Sequence, residues 1–198
     1  MGIPIGPTFA NIFMCHHEAN WMDECPLAFR PRHYFRYLDD TFLLFQSKNQ
    51  CIKFYEYLNT KHPNIKFTLE HENNNSLSFL DVNVTRMNGR FQTTVYRKPS
   101  FTGLGTSFFS FCCTRFKMNG IQTLLHRAYC ICSNATLFHK EVSFLKQFFF
   151  QNGYARAIFE RQTEIFLSKK LEPKIPMYMV DKNLSFSKLC SMAINLCY

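Results

Sequence analysis

"FRYLDDTF", residues 35–42, sets two adjacent carboxylates, Asp39 and Asp40, inside an aromatic and apolar run. Like charges side by side repel, and burying them unpaired is expensive, so such a run needs a partner for its aspartates. A hard divalent cation, Mg²⁺ or Mn²⁺, is the natural one: it takes carboxylate oxygens and is commonly held by one or two carboxylates plus substrate phosphates. Two such ions clamp the attacking and leaving oxygens of a phosphoryl transfer. The plain alternative is that the pair marks a solvated turn.

The elements around the pair are legible from spacing. "PRHYFRYLDDTFLLF" reads as two short strands with the aspartates at or beside the turn. Upstream, Gly2, Pro4, Gly6 and Pro7 make a stiff loop, and from Thr8 a helical pattern places Phe9, Ile12, Phe13 and His16 on one face. Such a loop either lets backbone approach a ligand closely or is an ordinary turn before a helix. Downstream, Ile52, Tyr55 and Leu58 carry helical spacing that stops at His62-Pro63. Three strand-like stretches follow, "IKFTLEHE", "SLSFLDVNV" and "RFQTTVYRK", divided by the turn-formers "NNN" and "MNGR". The first hundred residues therefore read as an α+β layer.

Past "KPSFTGLGTS" the pattern turns helical. Ile121, Leu124, Leu125, Ala128 and Ile131 form one stripe, Val142, Leu145 and Phe149 a second, and Ile158, Ile165 and Phe166 a third. Breaks at Ser133-Asn134 and Asn152-Gly153 give helix-turn-helix-like connections. Residues 173–198 remain unassigned.

Charge separates the same two regions. The net charge of +9 on 198 residues is absent from residues 1–96, where nine Lys or Arg face nine Asp or Glu. Residues 97–198 hold fourteen against five, so the second half is built to meet a polyanion, nucleic acid being the simplest, or else presents a solvated basic face. An apolar fraction of 46% gives material for a core, and core filling or compositional drift accounts for the 23 phenylalanines. Nine cysteines without regular spacing, with no leader-like segment before them, point to a reduced compartment rather than a disulfide framework. His126, Cys130, Cys132 and His139 are a weak zinc candidate, because CxC spacing is poor for a structural site. No apolar run reaches the ~20 residues of a membrane span.

The ordered set of motifs resembles the reverse transcriptases of Penelope-like retroelements. The resemblance rests on "GPTFANIFM", "RYLDDTF", "FTLEHENNNSLSFLDV", "VYRKPSFTG", "RAYCICS" and "NGY", which run in order over most of residues 1–155. It implies an RNA-directed DNA polymerase fragment: a partial palm over 1–100, a helical thumb over 101–172, and a tail over 173–198. Gly2, Pro4, Gly6, Pro7 and Asn11 would lie in the motif along the template and incoming nucleotide. Asp39 would be the main Mg²⁺ ligand and Asp40 its companion. The strings at 76–103 would grip the primer, and Arg97, Lys98, Arg115, Lys117 and Arg127 would contact phosphates, which position nucleic acid without reading it. The implied partners are an RNA template, a DNA primer and dNTP, in the nucleus.

A working palm also takes an aspartate from a strand before the glycine-proline loop, and the fingers precede that; neither has a counterpart here. This chain alone is therefore expected to be inactive or nearly so, with sheet edges prone to aggregate. Lys61 and Lys66 are candidate proton donors by position, with plain surface lysine as the alternative, and Asp81 is expected in a turn or strand end. "IPMYMV" near 175 is too short for the GIY-YIG endonuclease that often follows such polymerases. The competing expectation is a non-catalytic nucleic-acid-binding protein that uses the helical second half alone, with a recognition helix in the major groove.

Overall fold

The structure, a computed structural model, describes residues 4–171 and 190–197. They form an α+β fold of five helices and seven strands, divided into two compact units: residues 4–80 with 190–197, and residues 81–171.

In the first unit helix α1 (Gly6–Glu24) leads to a hairpin of β1 (His33–Tyr37) and β2 (Asp40–Phe45), then α2 (Lys48–Lys61), β3 (Lys66–His71) and β4 (Ser76–Phe79). The core is Met14 and Trp21 of α1 against Leu43 and Phe45 of β2, Cys51, Phe54 and Leu58 of α2, and Phe67 of β3. Alternation puts Thr41, Leu43 and Phe45 on one face of β2, and Leu44 on the other face is buried as well. Ser47 starts α2 by accepting a hydrogen bond from the Gln50 amide at 3.3 Å, and extended backbone at His62, before Pro63, ends it.

Two helix faces differ from the sequence expectation. The α1 stripe of Phe9, Ile12 and Phe13 is exposed, Phe9 by 63%, while Met14 and Trp21 are buried. At 100° per residue those two lie nearly opposite the expected stripe, so the longer apolar run did not choose the buried side. In α2 Leu58 is buried and Tyr55 packs on the core as expected, but Cys51 and Phe54 are buried in place of Ile52, which is exposed.

The tail, unassigned from sequence, supplies a strand, β7 (Cys190–Cys197), that lies between β2 and β3 and runs antiparallel to both. The order β1-β2-β7-β3 therefore places the most distant segment of the unit next to the hairpin, with Asp40 opposite Asn195.

In the second unit β5 (Val82–Met87) and β6 (Arg90–Val95) form a hairpin closed by Asn88-Gly89, both at positive φ (49° and 73°). This is the backbone that a two-residue Asn-Gly turn favours. The expected "SLSFLDVNV" strand is broken at Leu80 (φ 54°) into β4 and β5. Helices α3 (Thr114–Ile131), α4 (Ala135–Gln151) and α5 (Arg156–Leu171) pack around Ile121, Leu125, Ala128, Leu145, Phe149, Phe159 and Phe166. Thr93 joins hairpin to helices: its hydroxyl donates to the Ile131 carbonyl at 2.5 Å, and its amide donates to Ser133 Oγ at 3.1 Å. No helix among the described residues is long and apolar enough to cross a membrane.

Candidate nucleic-acid interface

Asp39 stands at the exposed tip of the β1–β2 hairpin, and Asp40, half-buried, opens β2 opposite Tyr37. The connection is only Leu38-Asp39, which forces Leu38 to φ 56°, a left-handed conformation that costs a leucine about 1–2 kcal/mol. Arg36 holds it there. Its guanidinium donates to the Leu38 carbonyl at 3.0 Å, to Glu18 Oε2 at 2.7 Å and to Asn11 Oδ1 at 2.9 Å. Tyr34 donates its hydroxyl to the other Glu18 oxygen at 2.5 Å. Burial, reinforced by the Glu18 carboxylate, pushes the Tyr34 phenol far above its ordinary value, so it stays a donor. The hairpin tip is thus bolted to α1 through Glu18 and Asn11.

Two adjacent carboxylates suit a hard cation in donor chemistry. Among the described residues no three His, Cys, Asp or Glu side chains gather as a metal site. The zinc candidates behave accordingly: His126 and Cys130 approach at 3.6 Å on the surface of α3. Burial, then the Glu141 charge, pushes the Cys132 thiol up, against the thiolate that a metal needs.

The other residues singled out from sequence are placed as follows. Gly2 lies outside the described residues, as does the "IPMYMV" segment. Pro4 is exposed, and Gly6 and Pro7 open α1, with open space where a Cβ at Gly6 would be. Asn11 accepts from Arg36. Lys61 is paired with Glu24 at 2.5 Å, and Lys66 donates to the Asn59 carbonyl at 3.3 Å. Asp81 pairs with Arg127 at 3.1 Å.

Positive charge follows the units. Residues 4–80 hold seven Lys or Arg against eight Asp or Glu, and residues 81–171 hold thirteen against four. From Val82 to Lys140 there is no acidic residue at all. The five basic residues singled out divide in role. Lys98 and Arg115 are exposed. Arg97 is paired with Glu141 and lies 3.8 Å over the Phe144 ring, and Arg127 is paired with Asp81. Lys117 is buried, its ammonium donating to the carbonyls of Phe108 at 2.6 Å and Ser110 at 2.8 Å. Sequence counting had no means of separating surface cations from those that hold the fold. Lys140, Arg161 and Lys169 add exposed cations.

The connections between helices are short, 132–134 and 152–155. Asn134 caps α4 by accepting from the Leu137 amide at 2.8 Å, and Gly153 (φ 86°) turns the chain between α4 and α5. Residues 106–164 match the family model of the animal helix-turn-helix domain. No curated protein and no solved structure matches the chain. The helix-turn-helix match covers α3, α4 and the first half of α5, with the glycine turn leading into α5. The exposed positions in the first turns of α5 are Arg156, Ala157, Glu160 and Arg161.

Missed from sequence were Glu18 and Arg36, which hold the hairpin tip, and Asn152, which holds the loop before α3. Arg36, beside the aspartates, carried a signal in its position; Asn152 was legible only as part of a helix break, not as a clasp on the loop, and Glu18 carried no signal.

Proposed function

We propose that this chain binds nucleic acid through its basic helical unit. Helix α5, entered from the Gly153 turn, is the helix offered to a groove, and Lys98, Arg115, Lys140 and Lys169 meet phosphates. The observation that carries this reading is a coincidence within residues 106–164: the helix-turn-helix match, the three-helix core and the acid-free run overlap there. A helix-turn-helix places the N-terminal residues of its second helix against base edges, and Arg156 and Arg161 occupy that place. Arg156 also lies 4.8 Å over the Phe150 ring, which limits its rotamers. Titrating a labelled DNA duplex at increasing salt tests this. Four or more phosphate contacts give a slope of log K against log salt of about −4 or steeper, and Arg115→Glu with Arg161→Glu weakens binding at every salt. Absence of duplex binding at low salt would sink the proposal.

A second reading makes the chain a segment of a Penelope-like reverse transcriptase. The Arg36-held hairpin, which presents Asp39 outward beside Asp40, favours it. In that reading Asp39 and Asp40 hold Mg²⁺ or Mn²⁺, and Pro4, Gly6, Pro7 and Asn11 face template and dNTP. The basic unit serves as thumb on RNA template and DNA primer, in the nucleus. When bound, the ions would help to activate the primer hydroxyl and to neutralise pyrophosphate; the chain's own part is to hold the two carboxylates at a fixed tip. Reading the native transcript in frame upstream of Met1 tests it. An aspartate-bearing strand preceded by a fingers region supports polymerase ancestry, and a stop codon directly upstream leaves only the binding role.

A further inference from the structure

Between β6 and α3 the chain runs through residues 96–113 with no regular element. Loops beyond about 12–15 residues are uncommon in compact domains, and those that persist are functional or disordered. This one is pinned at three places. Arg97, at its start, is paired with Glu141 and stacked on Phe144. Asn152, at the end of α4, clasps its middle: its Oδ1 accepts from the Gly105 amide at 2.8 Å, its Nδ2 donates to the Gly103 carbonyl at 3.0 Å, and its backbone carbonyl accepts from the Phe108 amide at 2.9 Å. Lys117 of α3 closes the end by donating to Phe108 and Ser110. Gly105 lies so close to α4 that a Cβ there would meet the Phe148 ring at 2.6 Å.

A loop held this firmly has the means to bury its rings, and it covers two of them only in part: Phe108 is half-buried and Phe101 is 45% exposed. Phe108 packs on Tyr154 at 5.2 Å and Phe101 faces Phe148 at 5.9 Å. Phe109, Phe111 and Phe116, within one short stretch, are each more than two-thirds exposed. A single exposed ring means nothing, but three within residues 109–116 beside a pinned loop are more than scatter. The edge of Phe109 rests against the Gly153 backbone, where a Cβ would come within 2.8 Å of the ring. The charged residues of this stretch are all cations, with Lys98 and Arg115 exposed.

Flat apolar rings on a segment whose own charged residues are all cations fit a polyanion that carries flat rings of its own. We infer that Phe109, Phe111 and Phe116 are a stacking platform for unpaired bases of a single-stranded nucleic acid, with Lys98 and Arg115 on its phosphates. This rests on the proposal that the helical unit binds nucleic acid, and it extends that proposal from duplex grip to the unpaired strand beside it. Base stacking on aromatic side chains is tolerant of sequence, because every base has a π face, and a duplex hides those faces inside its own stack. The rings therefore discriminate between strand states, whereas cations alone do not.

The test measures fluorescence anisotropy of the full chain with a labelled single strand of about 12 nucleotides, with the matching duplex, and with vesicles of phosphatidylserine and phosphatidylcholine. Phe111→Ala, at a fully exposed position, and Phe109→Ala are each expected to weaken single-strand binding about tenfold and to leave duplex binding within about twofold of the original. Phe111→Tyr, which keeps the ring, is expected to retain affinity. Unchanged single-strand affinity in both alanine variants, with duplex binding intact, overturns the platform and spares the helical reading. Equal loss on both nucleic acids overturns it, since the rings then serve folding or charge placement. Vesicle binding that falls with the alanine variants while oligonucleotide binding does not assigns the rings to a lipid surface, which overturns it too. Wild-type chain that binds neither nucleic acid sinks both proposals.

Discussion

Arg36 donates to Glu18 at 2.7 Å with both side chains about nine-tenths buried, and the same guanidinium reaches the carbonyl of Leu38 at the hairpin tip. Breaking a buried pair strands a charge, so Arg36→Ala is expected to lower unfolding stability by about 3 kcal/mol in urea denaturation. Glu18→Gln also strands the Arg36 charge and faces it with an amide NH2 donor, so a loss of similar size is expected. Amide exchange at Leu38 and Asp39 should accelerate in both variants.

Leu38 is half-exposed and left-handed, so its side chain contributes little while its backbone is strained. Leu38→Asn is expected to raise stability by about 1 kcal/mol, because asparagine tolerates this conformation. Thermal unfolding of the variant checks the sign directly; a fall would mean that the leucine side chain packs usefully.

Tyr34 supplies a pH signature. Its folded phenol titrates well above the unfolded one, through burial first and then the Glu18 charge. The neutral phenol's contribution is complete below the unfolded pKa of about 10 and is lost progressively as pH rises above it toward the folded value. Urea midpoints should therefore fall more steeply above about pH 10 in the wild type than in Tyr34→Phe, which has no group to ionise there.

Asn152 and Gly153 together govern the aromatic loop. Asn152→Ala removes the loop's side-chain clasp and is expected to cost about 1–3 kcal/mol and to open residues 96–113 to limited proteolysis. Gly153→Ala combines a positive φ with a Cβ only 2.8 Å from the Phe109 ring, so a loss of about 1–2 kcal/mol is expected. Cleavage sites mapped by mass spectrometry should cluster in that loop for the asparagine variant.

Strand β7 separates β2 from β3, so truncation before Cys190 leaves two facing strands without their shared partner. The truncated chain is expected to aggregate, as unpaired edges do. Light scattering during refolding checks it, and restoring the eight residues as a separate peptide should reduce the scattering.

Local features were open to reading from residues alone. The Asn88-Gly89 turn and the helix breaks at Asn134 and Gly153 depend on φ preferences and caps that neighbours in sequence settle, whereas the left-handed Leu38 is held by Arg36 against leucine's own preference. The helical core was legible for Ile121, Leu125 and Ala128, because 3.6-residue periodicity needs no knowledge of the partner. The charge division was legible as well, and the helical unit carries it.

Whatever depends on which face meets which neighbour was not legible. On α1 two apolar faces competed, and the side carrying Met14 and Trp21 packs on the sheet, leaving Phe9, Ile12 and Phe13 exposed. Lys117 reads as one more cation until two carbonyls of the loop are seen to hold it. Glu18 and Arg36 are eighteen positions apart, and β7 reaches β2 from the far end of the chain. Local backbone preference is a property of a few consecutive residues, so composition and order suffice to set it. Pairing across long separations is chosen by burial and hydrogen-bond satisfaction in three dimensions, where many registers compete and only the packed chain selects among them.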